Sequence, residues 1–138
     1  MEDGSLVCLP ANPRYTPSVI RNIIFDWSGT LVDDLPAVWQ ATNYVLAQAN
    51  RAEMTLEQFR AEFQLPFTTF YDKHTPHIPL PQLESWFHTR FKQVQDSVCA
   101  LPYAGRFIEF CRAHKLRAFL LSTVREDHFE AQRRASGY

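Results

Sequence analysis

The chain has 138 residues, of which 46% are hydrophobic, 14% aromatic and 21% charged, enough apolar matter for one packed domain and far from the profile of a disordered chain. Lysine plus arginine number 14 and aspartate plus glutamate 15, a net charge of −1, so there is no basic excess to hold a phosphate backbone and general nucleic-acid binding is disfavoured. Cys8, Cys99 and Cys111 stand in neither C-x-x-C nor knuckle spacing, which argues against a disulfide framework or zinc and for a cytoplasmic setting; no apolar run approaches the ~18 to 20 residues of a membrane span.

Residues 1–21 hold Pro10, Pro13 and Pro17 without any helical or alternating period and read as an irregular arm. Asn22-Ile23-Ile24-Phe25-Asp26 is short, apolar and β-branched, the pattern of a strand buried on both faces, and it stops at Trp27-Ser28-Gly29-Thr30. Asp33 and Asp34 before Leu35-Pro36 predict a capped helix start, and Val38, Ala41, Val45 and Leu46 continue one helical face to about Ala49. Thr55-Leu56-Glu57-Gln58 has the capping-box form and opens a short helix carrying Leu56, Phe59 and Phe63, which Pro66 ends; residues 64–70 are read as a loop.

Three prolines over residues 76–81 predict a second loop, and Leu83, Phe87, Phe91, Val94 and Val98 then mark a helix of about four turns. Another amphipathic helix follows Pro102-Tyr103-Ala104-Gly105, residues 116–121 read as a second buried strand ending at Ser122-Thr123, and a charged helix covers about residues 126–134. The expected organisation is an α/β domain built from residues 22–34 and 99–138, with residues 35–98 inserted as a helical module after its first strand.

An aspartate at the carboxyl end of a buried strand, followed by a glycine turn, sits where open α/β sheets bind ligands, which makes Asp26 the first catalytic candidate. A carboxylate there can attack phosphorus, with a divalent cation shielding its charge. Amides around Trp27 and Ser28 can cradle phosphate oxygens, Gly29 lets the main chain approach, and Thr30 can brace the turn. A strand-ending aspartate that only caps a turn is the alternative for a bare D-x-x-G.

The string Ile23-Ile24-Phe25-Asp26-Trp27-Ser28-Gly29-Thr30-Leu31-Val32-Asp33 resembles the first motif of the haloacid dehalogenase superfamily, an apolar strand followed by D-x-D-G-T-L/V. The resemblance extends over the helical block, similar to the cap of phosphoglycolate phosphatase-like members. It also takes in Leu101-Pro102-Tyr103-Ala104-Gly105, where that group re-enters its core, and Phe119-Leu120-Leu121-Ser122-Thr123, similar to the second motif. It implies a Rossmann-like core with an inserted α-helical cap, and hydrolysis of a small phosphorylated or phosphonate metabolite through an aspartyl phosphate on Asp26. It further implies a hydroxyl of Ser122 and an amide of Thr123 on the transferring phosphoryl group, and magnesium held by Asp26 and a main-chain carbonyl near Ser28. The cap loop around Phe67 and Phe70 would meet substrate.

Two departures qualify it. Ser28 stands where the phosphatases carry a second aspartate, and a hydroxyl is too weak an acid to replace it; loss of such help costs roughly 10²- to 10⁴-fold. Asp26-Trp27-Ser28-Gly29-Thr30 is close to the D-W-A-G-T of phosphonoacetaldehyde hydrolases, yet residues 64–70 lack the lysine those enzymes use, and Lys73 and Lys92 read as surface charges. The family's third motif, a basic residue, and its fourth, an acidic pair, have no counterpart after Ser122, where Arg125 reads as an exposed helix start. The expectation is therefore the front part of a longer hydrolase, with a catalytically inactive remnant that binds phosphate or a protein partner as the alternative. His74 and His77, at H-x-x-H spacing, lack further ligands and read as surface loop.

Overall fold

The computed structural model describes residues 19–138; the N-terminal arm and Cys8 lie outside the described residues apart from the last few positions of the arm. Strand β1 (Asn22–Phe25) pairs in parallel with β4 (Arg117–Leu120), Asn22 opposite Arg117 and Phe25 opposite Leu120. Between them run β2 (Val32–Asp33), α1 (Leu35–Gln48), α2 (Leu56–Glu62), α3 (Phe67–His74), α4 (Leu80–Val94), a 3-10 turn (Gln95–Ser97), β3 (Cys99–Ala100) and α5 (Ala104–Ala113), and α6 (Glu126–Ser136) follows β4. No helix among the described residues is long and apolar enough to cross a membrane.

Helix α1 buries Ala37, Ala41, Val45 and Leu46 at helical spacing and packs along α4. Its upper end joins Phe59, Phe70, Tyr71 and Leu83 in one apolar cluster, while Ala37 and Ala41 belong to a second, with Phe25, Trp27, Leu31, Val32, Phe91, Val98, Ala104 and Cys111. The loop after α1 is pinned to it: Trp39 Nε1 and Asn43 Nδ2 both donate to the Met54 carbonyl, at 2.8 and 2.9 Å, and the Met54 amide donates to Asn43 Oδ1 at 2.9 Å. Helix α2 opens with the expected reciprocal box, the Gln58 amide donating to Thr55 Oγ1 and the Thr55 amide to Gln58 Oε1.

Four features depart from the expectations: first, the long helix α4 ends at Val94 and passes into the 3-10 turn, so Val98 lies beyond it. Residues 67–74 form helix α3 rather than loop: Pro66, whose fixed φ and missing N–H cost nothing at a helix start, occupies the N-cap and begins an element instead of only ending one. A two-residue antiparallel ladder, β2 with β3, joins Val32 to Ala100 and Asp33 to Cys99 where the chain leaves and re-enters the sheet region, and the Leu101 amide extends it to the Leu31 carbonyl at 2.9 Å. Finally, the parallel strands are not buried on both faces. Phe25 packs edge-on against Phe107 of α5 at 5.7 Å, but Ile24 is 67%, its partner Phe119 50% and Leu121 71% exposed. An unbroken apolar run signals burial potential without stating what covers each face.

Candidate functional site

Asp26 lies one residue past β1, exposed. The Leu121 amide donates to the Phe25 carbonyl at 2.8 Å, so the ladder continues to this level. Parallel register therefore brings Asp26 and Ser28 from one strand end, and Ser122 and Thr123 from the other, to the same carboxyl edge of the sheet. After Asp26 the chain closes a tight turn in which the amides of Thr30, Leu31 and Val32 donate to the Trp27 carbonyl at 3.2, 2.9 and 3.2 Å, and the Gly29 amide donates to the Val32 carbonyl at 2.9 Å. Gly29 has φ +68°, and the space around it is open; the conformation, not crowding, favours glycine.

The residues around the turn divide. Ser28 Oγ donates to Asp34 Oδ2 at 2.5 Å. The Asp34 side chain thus faces the turn and makes no cap bond to α1, whose N-cap residue it is. The side-chain cap expected at Asp34 is therefore absent, and the adjacent pair Asp33-Asp34 is the sequence signal for a second carboxylate beside the turn. Burial holds the Asp34 carboxyl above its ordinary value, the Ser28 hydrogen bond opposes this in part, and the charges of Asp33 and Asp26 reinforce it.

Below pH 3.8 Asp34 is protonated in both folded and unfolded chains and costs nothing; as pH rises through its elevated folded value, the folded chain must carry a buried charge that the unfolded chain solvates. Asp34→Asn, which keeps an acceptor for Ser28, is therefore expected to raise the thermal midpoint at pH 7 by about 2–4 °C, a gain that shrinks to nothing below pH 3.8. Melting curves of both proteins across pH 3–7 check this.

The Trp27 side chain does not face the strand ends. It is 2% exposed, donates from Nε1 to Gln132 Oε1 of α6 at 2.6 Å, and sits edge-on to Phe129 and Tyr138 at 4.8 and 5.7 Å. Only its main chain is left for a ligand. Thr30 is exposed and lines an apolar groove of about 340 Å³ with Ile23, Phe25, Tyr103 and Phe107. Ser122 Oγ accepts from the Val124 amide at 3.2 Å, a local turn that leaves its proton free to donate.

Phe67 begins α3 and packs edge-on against Tyr71 at 6.2 Å, with part of its ring exposed. Phe70, by contrast, is buried against Phe59 and Phe63, so it is a packing residue and not a substrate contact. Lys73 and His74 both pair with Glu62, at 2.7 and 3.0 Å, and His77 is exposed. Arg125 is an exposed α6 N-cap residue bound to Asp127. Among the described residues no group of three histidine, cysteine or acidic side chains is placed to hold a metal ion. One exposed carboxylate and a main-chain carbonyl do not make a cage for magnesium, which demands near-octahedral oxygen coordination.

No family model and no curated protein sequence matches the chain. Solved structures do. A HAD family hydrolase from Deinococcus radiodurans with bound phosphate and sodium superposes with a TM-score of 0.61 at 20% identity, over 86% of this chain and 53% of that one. CbbY from Rhodobacter sphaeroides, in complex with phosphate, gives 0.67 at 19% identity over 86% and 58%. A protein from Lactobacillus plantarum assigned as a phosphoglycolate phosphatase gives 0.69 at 18% over 83% and 55%. The chain spans little more than half the length of the structures it matches, and at these identities the likeness is one of fold.

Proposed function

We propose, from the haloacid dehalogenase-like fold that the chain shares with these hydrolases, that it carries the nucleophile-bearing part of a phosphohydrolase acting on a small phosphorylated metabolite. In this reading residues 22–34 and 99–138 belong to the core and residues 35–98 form the cap. The observation that carries it is the placement of the exposed Asp26 carboxylate at the carboxyl edge of the parallel pair, beside Ser28, Ser122 and Thr123. Asp26 Oδ attacks the phosphorus, and the bond to the leaving oxygen breaks as that oxygen takes a proton from solvent water. The amides of Trp27 and Ser28, which the turn's own hydrogen bonds do not use, and the Ser122 hydroxyl donate to the phosphoryl oxygens. Water then cleaves the acyl phosphate and frees inorganic phosphate.

Magnesium, when bound, would offset the charge of the phosphoryl group. The described residues offer it the Asp26 carboxylate and the Ser28 carbonyl, too few to hold it alone. The Ser28–Asp34 hydrogen bond favours a second reading: the group in the position of the family's acid–base residue is a serine whose proton is directed at Asp34, as suits a chain that binds phosphate without turning it over.

Beryllium fluoride, which forms a phosphoryl mimic on a reactive aspartate, separates the two. With the reagent in magnesium buffer, a rise in melting temperature of about 3–5 °C is the expected result for a working Asp26 site. No shift would leave the inactive reading in place.

A further inference from the structure

Between α4 and α6 lies a chain of three polar side chains that the candidate site does not use. His88 Nδ1 and His128 Nε2 are 2.9 Å apart, and His128 Nδ1 is 2.7 Å from Gln95 Oε1. His128 is 3% exposed and its ring is boxed in, meeting His88 edge to edge with centroids 5.1 Å apart and planes 25° apart, and edge-on to Phe91 at 4.8 Å. A carbonyl oxygen can only accept, so His128 carries its proton on Nδ1 and presents a bare Nε2, to which His88 donates from Nδ1. The contact closes with a single proton between the two facing nitrogens, since a neutral His88 can take its other tautomer and accept from His128 Nε2. A second proton, with both rings charged, sets two N–H groups and two positive charges against each other in a part-buried contact.

We propose that His88 and His128 form a proton-operated latch, which holds the start of α6 against α4 at neutral pH and releases it on acidification.

The surroundings fit this. Lys92 and Glu84 approach from α4, Arg125 and Asp127 from α6, and the 3-10 turn contributes the uncharged Gln95. Asp127, shared by Arg125 at 3.1 Å and Lys92 at 3.8 Å, favours a charged His128, and it and Glu84 favour a charged His88, but the net direction for both rings is downward. Burial, the largest influence on both rings, lowers their proton affinity, and Arg125 and Lys92 act in the same direction. With folded values below the ordinary 6.5, both rings contribute stability that is full above pH 6.5 and is lost as pH falls toward the folded values, where the unfolded chain takes up protons first.

The latch also reaches the strand-end turn. Farther along α6, Gln132 and Phe129 hold the Trp27 indole, and Tyr138 Oη donates to the Leu31 carbonyl at 3.4 Å. Freeing α6 loosens the wall behind residues 26–31, whatever that turn does chemically.

The test compares the wild-type chain with His88→Gln, whose amide can still donate but cannot titrate. Imidazole carbon-bound proton shifts are followed by NMR from pH 8 to 5, with melting midpoints and α6 amide exchange, corrected for intrinsic rates, at pH 7.5 and 5.5. Expected are midpoints for both rings below pH 6.5 and a fall in melting temperature about 4 °C larger in wild type than in His88→Gln, with α6 amides losing protection at pH 5.5 in wild type and much less in the variant. Either ring titrating at or above pH 6.5, or wild type and variant losing stability in parallel, would overturn the latch. Should His88→Gln not fold, the wild-type titration and exchange decide alone.

Discussion

Asp26→Asn is expected to abolish the proposed phosphoryl transfer while leaving the fold intact. An amide oxygen is a far poorer nucleophile than a carboxylate, and removing a nucleophile costs about 10⁴-fold or more in turnover. The wild-type starting rate is itself expected to be low, because the leaving oxygen lacks a side-chain acid at residue 28: the Ser28 hydroxyl is a weak acid and its proton is engaged by Asp34. The measurement is phosphate release from a small aryl phosphate at high enzyme concentration, beside a thermal melt. The Asp26 side chain is exposed, so the melting midpoint should move by less than the equivalent of about 0.5 kcal/mol. Full turnover in Asp26→Asn would remove the nucleophile assignment; equal loss of turnover and stability would mean that residue 26 serves the fold. Beryllium fluoride adds an independent arm, since the variant should lose whatever thermal shift the wild type shows.

What the sequence could and could not disclose follows from the range of each interaction. The strand into Asp26 and the turn at Gly29 are contiguous, so their pattern is local and both are formed, although burial of the strand on both faces, which depends on distant elements, is not. Thr55 and Gln58 complete their box within four residues, again a local signal. Helix α3 was hidden because proline is both a helix ender and a favoured helix opener, and Pro66 does the second. The β2–β3 ladder is two residues long, below any periodicity. Side-chain direction past a strand end is a tertiary matter, which is how Trp27, adjacent to the candidate nucleophile, turns away from it into the interior. His88 and His128 stand forty positions apart with no motif between them, and only packing brings them to hydrogen-bond distance.

Trp27→Ala is expected to be the most damaging single change in the core, at about 3–5 kcal/mol. Against a total stability of about 5–15 kcal/mol for a domain of ordinary size, that is enough to leave a substantial unfolded fraction. Three losses combine: the buried indole, its edge contacts with Phe129 and Tyr138, and the 2.6 Å hydrogen bond to Gln132.

Gln132 is fully buried and its Nε2 has no partner among the described residues, so without Trp27 its carbonyl oxygen is stranded as well. Trp27→Phe separates these contributions. It keeps an aromatic ring against Phe129 and Tyr138 but offers no donor, and is expected to cost about 1–3 kcal/mol, most of it from the unpaired Gln132 oxygen. Pairing Trp27→Phe with Gln132→Leu, which removes the stranded amide, should recover most of that cost, because two apolar groups of similar shape can replace a buried hydrogen bond almost neutrally. Urea midpoints for the four proteins, read by far-ultraviolet circular dichroism, complete the cycle. Recovery in the double variant places the energy in the Trp27–Gln132 bond; additive losses would place it in the aromatic packing that anchors α6 to the turn behind Asp26.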